Sequence, residues 1–273
     1  MAPEINAPND APRWTDLIAD YEALAEPLSR QYAQAALAMV GGIRHGARVL
    51  DVAAGTGSLS LLAAEAGAEV VATDFSPGMV ARLAERLAAY TGCTARVMDG
   101  QALDVVDGAF DATFSIFGVF LFPDWRKGLR ELARSTCTGG HGCVAVWRNP
   151  GGAAQMVVLA EAFRSIFPDA ALPQMPEGVL VLASPDALEA EMALAGFSNV
   201  TVRAVDGAWT GESVDALVTD AKRISRFVPA FAELERSDGD RLSLALREGL
   251  ERYVSGGVVS VPCTALVAMG RRP

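Results

Sequence analysis

The sequence predicts an α/β fold, with a doubly wound sheet of seven strands in a three-layer sandwich, an antiparallel last strand and an additional helical cap. Short β-type runs alternate with segments of helical period, which is typical of parallel strands joined by helical crossovers. A glycine-rich turn follows the first strand, where open α/β sheets bind their ligands. About 50 residues separate the last two predicted strands, which is far too long for a hairpin loop and indicates a helical insertion.

The first half of the chain supplies five predicted strands and the helices between them. Ser76 is predicted to cap a helix that has Pro77 at its first position, and the segment DWRKGLRELARS (124–135) is predicted to form another helix. The strands are RVLDVA (48–53), EVVATD (69–74), CTARVMD (93–99), AFDATFSIFG (109–118) and GCVAVWR (142–148). These segments are the parts of a doubly wound sheet.

The second half is predicted to complete the sheet. Strands are predicted at NVTVRAV (199–205) and VVSVPCTALVAMGRR (258–272), with one helix in SVDALVTDAKRISRFVPAF (213–231) and another from 240 to 254 between them. We therefore expect one structural domain in three parts. These parts are an N-terminal helical segment (1–40) that closes over the site, a binding core (41–150), and the rest of the sheet (151–273) with a substrate-side insertion at about 206–257.

Composition limits the class of function. The chain of 273 residues is 51% hydrophobic and 21% charged, as in globular proteins, and its formal charge of −10 argues against a nucleic-acid surface. Its four cysteines have neither CxxC spacing nor histidine partners, so no metal site is expected. No apolar run is long enough to span a membrane and the N-terminus lacks a secretion signal, so we expect a cytoplasmic protein that is a monomer or homodimer.

The glycine turn is compatible with two kinds of nucleotide ligand. Gly55 and Gly57 would allow close approach of a ligand to the backbone, and Asp74 at the end of the second strand would hold ribose hydroxyls in either case. A dinucleotide site has the pattern GxGxxG, and here Ser60 occupies its third glycine position. The glycine count alone does not separate the two ligands.

Two further carboxylates favour an adenosine with a charged tail. Asp51 lies inside the first strand, where a dinucleotide fingerprint has an apolar residue and where a carboxylate would favour a cation. Asp99 ends the third strand and is placed to accept a hydrogen bond from the adenine amine, while Ser115 lies near the end of the fourth strand. A ligand with an adenosine and a positively charged amino-acid tail fits this pattern, and S-adenosylmethionine is such a ligand.

The sequence resembles the class I S-adenosylmethionine-dependent methyltransferases, and within them the small-molecule group similar to the ubiquinone/menaquinone C-methyltransferases. The resemblance covers about 100 residues. It departs at Ala53, where many members have glycine, and at the TCTGGHGC stretch, where Lys-Pro-Gly-Gly is more usual. The matching motifs are VLDVAAGTG (49–57), VVATDFSPGMV (70–80), ARVMDGQAL (95–103), FDATFSIFGVFLFPDW (110–125) and LRELARSTCTGGHGCVAVW (129–147).

The resemblance implies a Rossmann-like fold and a set of cofactor contacts. Three regions of contact are implied, and they belong to the methionine moiety, the adenosine and the methyl-donor end. Asp51 and the backbone at Ala53, Gly55 and Gly57 would contact the methionine. Asp74 would bind the ribose hydroxyls, Phe75 and Met79 would lie beside the adenine, and Asp99, Gly100 and Gln101 would bind the adenine amine. Ser115 and Phe117 would lie near the methyl donor. The cofactor would be S-adenosylmethionine, with S-adenosylhomocysteine as product.

The residues that contact the acceptor are less defined. Trp147 and Arg148, at the end of the fifth strand, are candidates for the acceptor pocket, although packing explains the tryptophan equally well. Tyr21 and Tyr32, in the N-terminal segment, are candidates for substrate or cofactor contact and for a base, although a tyrosine base would need a lowered pKa. His141 is predicted to lie in a surface turn away from the site.

The function that we expect is methyl transfer to a small apolar or aromatic molecule by in-line displacement. Two alternatives remain open at this point. The first is a dinucleotide-dependent oxidoreductase, which the mismatch at Ser60 disfavours. The second is a protein that binds S-adenosylmethionine or its product without catalysis.

Overall fold

The structure of the protein is a computed structural model, which describes residues 11–149, 152–169, 172 and 174–273. Its sheet has eight strands, of which seven follow the order β3-β2-β1-β4-β5-β8-β6 and the two-residue β7 pairs with β8. The strands are β1 (Arg48–Val52), β2 (Glu69–Asp74), β3 (Thr94–Val97), β4 (Phe110–Ile116), β5 (Thr136–Trp147), β6 (Ser198–Gly211), β7 (Val254–Ser255) and β8 (Val258–Arg271). The first five strands pair in parallel, and β8 is antiparallel to β5. The predicted doubly wound, Rossmann-like sheet is therefore confirmed, with β7 in addition.

Helices precede β1 and connect most of the strands along the chain. A π-helical turn (Tyr21–Ala25) lies between α2 and α3, and a 3-10 turn (Val119–Leu121) follows β4. The α-helices are α1 (Ala11–Asp16), α2 (Ile18–Asp20), α3 (Glu26–Met39), α4 (Ser60–Glu65), α5 (Pro77–Leu87), α6 (Trp125–Ser135), α7 (Ala154–Ile166), α8 (Glu177–Val181), α9 (Pro185–Ala195), α10 (Val214–Ser225) and α11 (Pro229–Glu251).

Local capping explains where two of the core helices begin. The Ser76 side chain accepts a hydrogen bond from the Met79 amide, and Pro77 occupies the first position of α5, as the sequence predicts. Asp124 caps α6 in the same way, through the Lys127 amide at 2.9 Å. Both caps come directly after a connection from the carboxyl end of a strand, so they fix the direction in which each helix leaves the site.

Two sequence predictions about element boundaries are wrong. The TCTGGHGC stretch, including His141, belongs to β5, because β4 and β8 supply hydrogen-bond partners on both sides of it. Its glycine-rich part forms an irregularity in the strand, since Phe110 pairs with Thr136 but Ala112 pairs with His141. The helix predicted from 240 begins at Pro229 instead, and the backbone departs from helical geometry within it, at Asp238.

The chain forms two compact units. Among the described residues, one unit comprises 11–149, 176–205 and 265–273, and its core packs the central strands against α6 and α9. The other comprises 152–169, 172, 174–175 and 206–264, where α7, α10 and α11 pack together and the ring centres of Phe163 and Phe231 lie 6.0 Å apart. The predicted division into residues 1–40, 41–150 and 151–273 within one domain stays a prediction.

A helix that crosses a membrane needs about 20 consecutive, mostly apolar residues. Within the described ranges, no helix is both long and apolar enough to cross a bilayer.

Candidate functional site

A cavity of about 260 Å³ opens at the carboxyl ends of the parallel strands. It lies beside β1, where the strand order turns from β2 on one side to β4 on the other, which is the usual ligand position in open α/β sheets. Ten of the residues on its wall are ones that the sequence analysis selected. They are Tyr21, Ala53, Gly55, Asp74, Phe75, Met79, Asp99, Gly100, Gln101 and Phe117.

The glycine turn, residues 53–57, forms one side of the cavity. Ala53, Gly55 and Gly57 all have positive φ angles, of 57°, 57° and 106°, so the backbone reverses sharply after β1. A Cβ atom placed on Gly55 would lie 3.0 Å from the Tyr21 ring. Tyr21 therefore packs directly on the turn, and a larger residue at position 55 would crowd its ring.

Asp74 lies at the end of β2 and is 7% exposed. One carboxylate oxygen accepts the Gly55 amide at 2.9 Å and the other accepts the Ser76 amide at 2.9 Å. Burial raises the pKa of Asp74, while these amides oppose the rise. A carboxylate offers about four acceptor positions, so Asp74 can still accept a hydrogen bond from a diol in the cavity.

Asp51 is buried behind the glycine turn. Its carboxylate accepts the Ser60 hydroxyl at 2.6 Å, so the residue at the third position of the imperfect GxGxxG pattern binds a carboxylate. Burial raises the pKa of Asp51 to about 7, and the neighbouring charge of Asp74 adds to the effect, while Ser60 opposes it. A cation near this pair would restore the charged form of Asp51.

Asp99 and Gln101 form an ordered edge on the far side of the cavity. The Asp99 carboxylate accepts both the backbone amide and the side-chain amide of Gln101, at 2.9 and 3.0 Å. The Gln101 carbonyl in turn accepts the Asp124 amide at 2.8 Å. Between them, a Cβ on Gly100 would lie 2.5 Å from the Phe122 ring, so glycine permits this close packing.

Three aromatic rings form a cluster beside the cavity, and Phe117 is the member that lines it. Phe117 stacks on Trp147 with ring centres 4.1 Å apart, and Tyr32 meets both rings edge-on, at 5.3 and 5.4 Å. Phe117 holds a positive φ of 59°, which a non-glycine residue adopts only when its surroundings enforce it. We call Tyr32, Phe117 and Trp147 the aromatic cluster.

The two tyrosine candidates for a base differ in position. Tyr32 is fully buried in the aromatic cluster, away from the cavity wall. Tyr21 lies on the wall, but burial and the charges of Asp74, Glu26 and Asp51 raise its pKa well above the ordinary value of 10.0. A raised pKa keeps the phenol protonated, so Tyr21 is suited to donate a hydrogen bond and not to accept a proton.

Several predicted site residues lie off the cavity wall. Asp51 lies behind the glycine turn, and Gly57, the last residue of that turn, is not among the wall residues. The Ser115 hydroxyl is buried and accepts the Val119 amide at 3.0 Å. Trp147 and Tyr32 are not among the wall residues but contact Phe117, which is, and Arg148 is exposed at the end of β5. Their predicted roles stay predictions.

Six wall residues are absent from the predicted site. Two of them, Ile116 and Gly118, flank Phe117, and Met98 precedes Asp99, so their position in the quoted motifs is a signal that could have found them. Trp14 reaches the wall only because the N-terminal segment folds back onto the core. The six residues are Trp14, Met98, Ile116, Gly118, Leu121 and Phe122.

Both histidines lie at the opposite end of the sheet. His45 packs against Gly67, before β2 begins, and His141 pairs with Ala112 near the start of β4. Burial and the nearby Arg271 lower the pKa of His141. Among the residues described, no cluster of three histidine, cysteine or acidic residues could hold a metal ion.

Comparison with known proteins adds a family to this geometry. The methyltransferase domain family matches residues 49–140. A demethylmenaquinone methyltransferase of Thermus thermophilus is 40% identical over 164 residues, which are 55% of this chain and 74% of that protein. A second one, of Corynebacterium glutamicum, is 36% identical over 143 residues, which are 52% of this chain and 60% of that protein.

Solved structures share the fold at low identity. A chain in the complex between the Haloferax volcanii Trm112 methyltransferase activator and the putative methyltransferase superposes with a TM-score of 0.59 at 20% identity, over 97% of this chain and 98% of that chain. Haemonchus contortus phosphoethanolamine N-methyltransferase 2, bound to S-adenosylhomocysteine, gives 0.54 at 19% identity, over 89% of this chain and 52% of that chain.

The donor groups present suit an adenosine with an amino-acid tail. A buried carboxylate with spare lone pairs follows β2, a second carboxylate follows β3, and the glycine turn leaves the backbone open beside them. Ser60 occupies the position at which a dinucleotide site would need its third glycine, and it binds Asp51. Together with the 40% identity to a relative of which this chain covers 74%, this places the chain in the class I S-adenosylmethionine-dependent methyltransferases, of the quinone methyltransferase-like kind.

Proposed function

We propose that this chain transfers the methyl group of S-adenosylmethionine to a small apolar or aromatic acceptor by in-line displacement. The observation that carries the proposal is that one cavity is lined both by backbone and carboxylate groups and by a group of apolar side chains. We call Ala53 and Gly55 of the glycine turn, together with Asp74 and Asp99, the polar wall. We call Ile116, Phe117, Leu121 and Phe122, which lie at the end of β4 and just after it, the apolar wall. The first suits the cofactor and the second suits an apolar partner.

The polar wall would hold the cofactor through its adenosine and its methionine tail. Asp74 would accept both ribose hydroxyls, with Phe75 and Met79 beside the adenine and Asp99, Gly100 and Gln101 at its amine. Asp51 would balance the charge of the methionine ammonium from behind the glycine turn, with Ala53, Gly55 and Gly57 supplying backbone contacts. The support for these roles is the pairing of the two Asp74 oxygens with backbone amides, which fixes the carboxylate in one orientation.

The acceptor would lie against the apolar wall. Phe117 presents a ring whose orientation is set by Trp147 and Tyr32, and such a rigid aromatic surface favours a planar acceptor. Two relatives of this chain are named for methylating demethylmenaquinone, which agrees with a quinol-like acceptor. Ser115 and Trp147 would support this wall from behind, and Arg148 would lie at its edge.

The sulfonium of the cofactor supplies an activated methyl group. The protein's own contribution is therefore alignment, which can lower a reaction barrier by roughly 7 to 11 kcal/mol. Tyr21 would donate a hydrogen bond in the cavity, because its raised pKa prevents it from taking a proton. An acceptor that is already nucleophilic, such as the electron-rich ring of a quinol, would need no strong base from this wall.

The proposal also covers the location, the oligomeric state and the class of substrate of this protein. We infer a cytoplasmic enzyme, either a monomer or a homodimer, that acts on a small molecule and not on nucleic acid. The formal charge of −10 supports the last point, since phosphate binding needs clustered basic residues. The N-terminal segment would close over the cofactor, which agrees with the packing of Tyr21 on the glycine turn.

A calorimetric titration with S-adenosylhomocysteine tests the cofactor site, with NADH and NADPH as controls. We expect micromolar binding of S-adenosylhomocysteine alone, and binding of a nicotinamide cofactor instead would contradict the site. Methyl-labelled S-adenosylmethionine with a panel of a naphthoquinol, a catechol and an aliphatic amine then tests the acceptor. Label in the planar acceptors is the expected result, and label in the amine alone would contradict the aromatic assignment. Cofactor binding without transfer to any acceptor would favour the non-catalytic alternative.

A further inference from the structure

Thr56, which lies between the two glycines of the glycine turn, is held from two sides by side chains of other elements. Its hydroxyl donates a hydrogen bond to the Glu26 carboxylate at the start of α3. Its carbonyl oxygen accepts a hydrogen bond from Arg86, on α5, at 2.9 Å. The hydroxyl and the carbonyl of the residue between Gly55 and Gly57 are therefore fixed by partners 30 residues away in sequence.

Glu26 and Arg86 also bind each other. Two parallel hydrogen bonds of 2.6 and 2.8 Å join the guanidinium to the two carboxylate oxygens. Glu26 is only 7% exposed and Thr56 is fully buried, so this interaction is sheltered from solvent screening. Burial opposes the charge of Glu26, but Arg86 and Thr56 hold its pKa below the ordinary value, so the carboxylate is charged at neutral pH.

The same cluster connects the glycine turn to the N-terminal segment. Glu26 directly follows the π-helical turn that carries Tyr21, and Tyr21 packs on Gly55. Glu22, within that π-helical turn, pairs with Arg82 one helical turn before Arg86, at 2.7 Å. Single π-helical turns are uncommon and recur at functional sites. One set of polar contacts thus joins the glycine turn and α5 to the part of the N-terminal segment that carries Tyr21.

We propose that Glu26 is a positioning residue that, through Thr56 and Arg86, sets the conformation of the glycine turn for cofactor binding and couples that binding to docking of the N-terminal segment. Docking places Tyr21 over Gly55, and the cofactor in turn favours the docked segment because both contact the same turn. The coupling is reciprocal, as any linkage between two bound elements must be. This inference rests on the proposed binding of the cofactor at the glycine turn.

The test compares variants by calorimetric titration with S-adenosylhomocysteine and by thermal unfolding without ligand. Thr56→Val removes the hydroxyl that binds Glu26, and Glu26→Gln removes the charge and the second acceptor oxygen that bind Arg86. We expect affinity to fall by about tenfold or more for each. Thr56→Ser retains the hydroxyl and should recover most of the affinity lost in Thr56→Val. Glu65→Gln is the matched control, because Glu65 pairs with Arg30 of α3 at 3.3 Å, across an exposed surface that does not touch the turn. Its affinity should stay within twofold of the unmodified protein.

Amide hydrogen exchange separates positioning from a merely structural role. In the unmodified protein, S-adenosylhomocysteine should protect the amides of residues 21–26 as well as those of the glycine turn. In Glu26→Gln, the protection of residues 21–26 should be lost even at saturating ligand.

The outcomes distinguish this inference from the proposed site. If folded Glu26→Gln and Thr56→Val bind with unchanged affinity, the positioning role is overturned and the cofactor site stands. If Glu26→Gln fails to fold, Thr56→Val with its Thr56→Ser partner decides alone. An unmodified protein that does not bind S-adenosylhomocysteine refutes the proposed site and this inference together.

Discussion

The polar wall and the apolar wall of the cavity are built by different forces. The polar wall depends on backbone amides that aim at carboxylates, as at Asp74, where Gly55 and Ser76 bind the two oxygens. The apolar wall depends on packing, as where Phe117 stacks on Trp147. Hydrogen bonds allow few substitutions, whereas many apolar side chains can fill the same volume. The difference explains why one fold can keep a single methyl donor and serve many acceptors.

Removal of Asp74 is the most severe test of the polar wall. Asp74→Ala should weaken S-adenosylhomocysteine binding by about 1.5 to 3 kcal/mol, because it would remove the charge-assisted hydrogen bonds that we propose between Asp74 and the ribose. The change also leaves the amides of Gly55 and Ser76 without their acceptor. Calorimetry measures the affinity. Asp74→Asn keeps the shape of the side chain and one acceptor oxygen, so it should lose less affinity than Asp74→Ala. Unchanged affinity in folded Asp74→Ala would remove Asp74 from the site.

The pH dependence of binding tests Asp51. Its pKa of about 7, raised from 3.8 by burial, means that the carboxyl is neutral in the free protein below that pH. A cationic methionine tail needs the charged form, so affinity should fall by up to about tenfold per pH unit below 7 and stay level above it. Titrations between about pH 5.5 and 8.5 measure this slope.

Asp51→Asn is the control for this slope, which it should abolish. The same slope in the variant would assign the titration to another group. The free energy of unfolding should depend on pH in the opposite direction, because the raised pKa of Asp51 favours the folded state at low pH. That contribution is fully present below 3.8 and is lost as the pH rises through about 7.

A change in the aromatic cluster should affect the acceptor and not the cofactor. Trp147→Leu removes the ring that stacks on Phe117. We expect the KM for the acceptor to rise by a factor that corresponds to about 0.5 to 1.5 kcal/mol of lost binding free energy. The affinity for S-adenosylhomocysteine should not change. Trp147→Phe retains a stacked ring, so its KM for the acceptor should lie between those of the unmodified protein and Trp147→Leu. An equal loss of cofactor affinity would show that the two walls are not separable.

Ala53 gives the smallest expected effect. Its φ of 57° costs a non-glycine residue about 1 to 2 kcal/mol, whereas glycine adds about 0.5 to 1 kcal/mol of entropy cost on folding. Ala53→Gly should therefore raise the free energy of unfolding by no more than about 1 kcal/mol in a urea titration. Gly118→Ala makes a useful partner, because its Cβ would lie 2.4 Å from that of Ala53. The second change should be tolerated better in the Ala53→Gly background.

The sequence predicted the elements that short-range chemistry defines. The cap at Ser76 and Pro77 is visible in sequence because capping involves neighbours along the chain. The register of β5 was not visible, because its glycine-rich start becomes a strand only between β4 and β8. The start of α11 at Pro229 was also missed, since the predicted helix before it ran on to residue 231.

The sequence by itself determined the sheet, the glycine turn and the carboxylates at the strand ends, because strand period, positive φ and helix capping are properties of adjacent residues. Only the tertiary structure decided what the N-terminal segment contributes. Glu26 reaches Thr56 and Tyr21 covers Gly55 through contacts between residues about 30 positions apart, and no local pattern encodes such a distance. Burial likewise decided the chemistry of Tyr21 and Asp51, because a pKa depends on how much water the surrounding fold excludes.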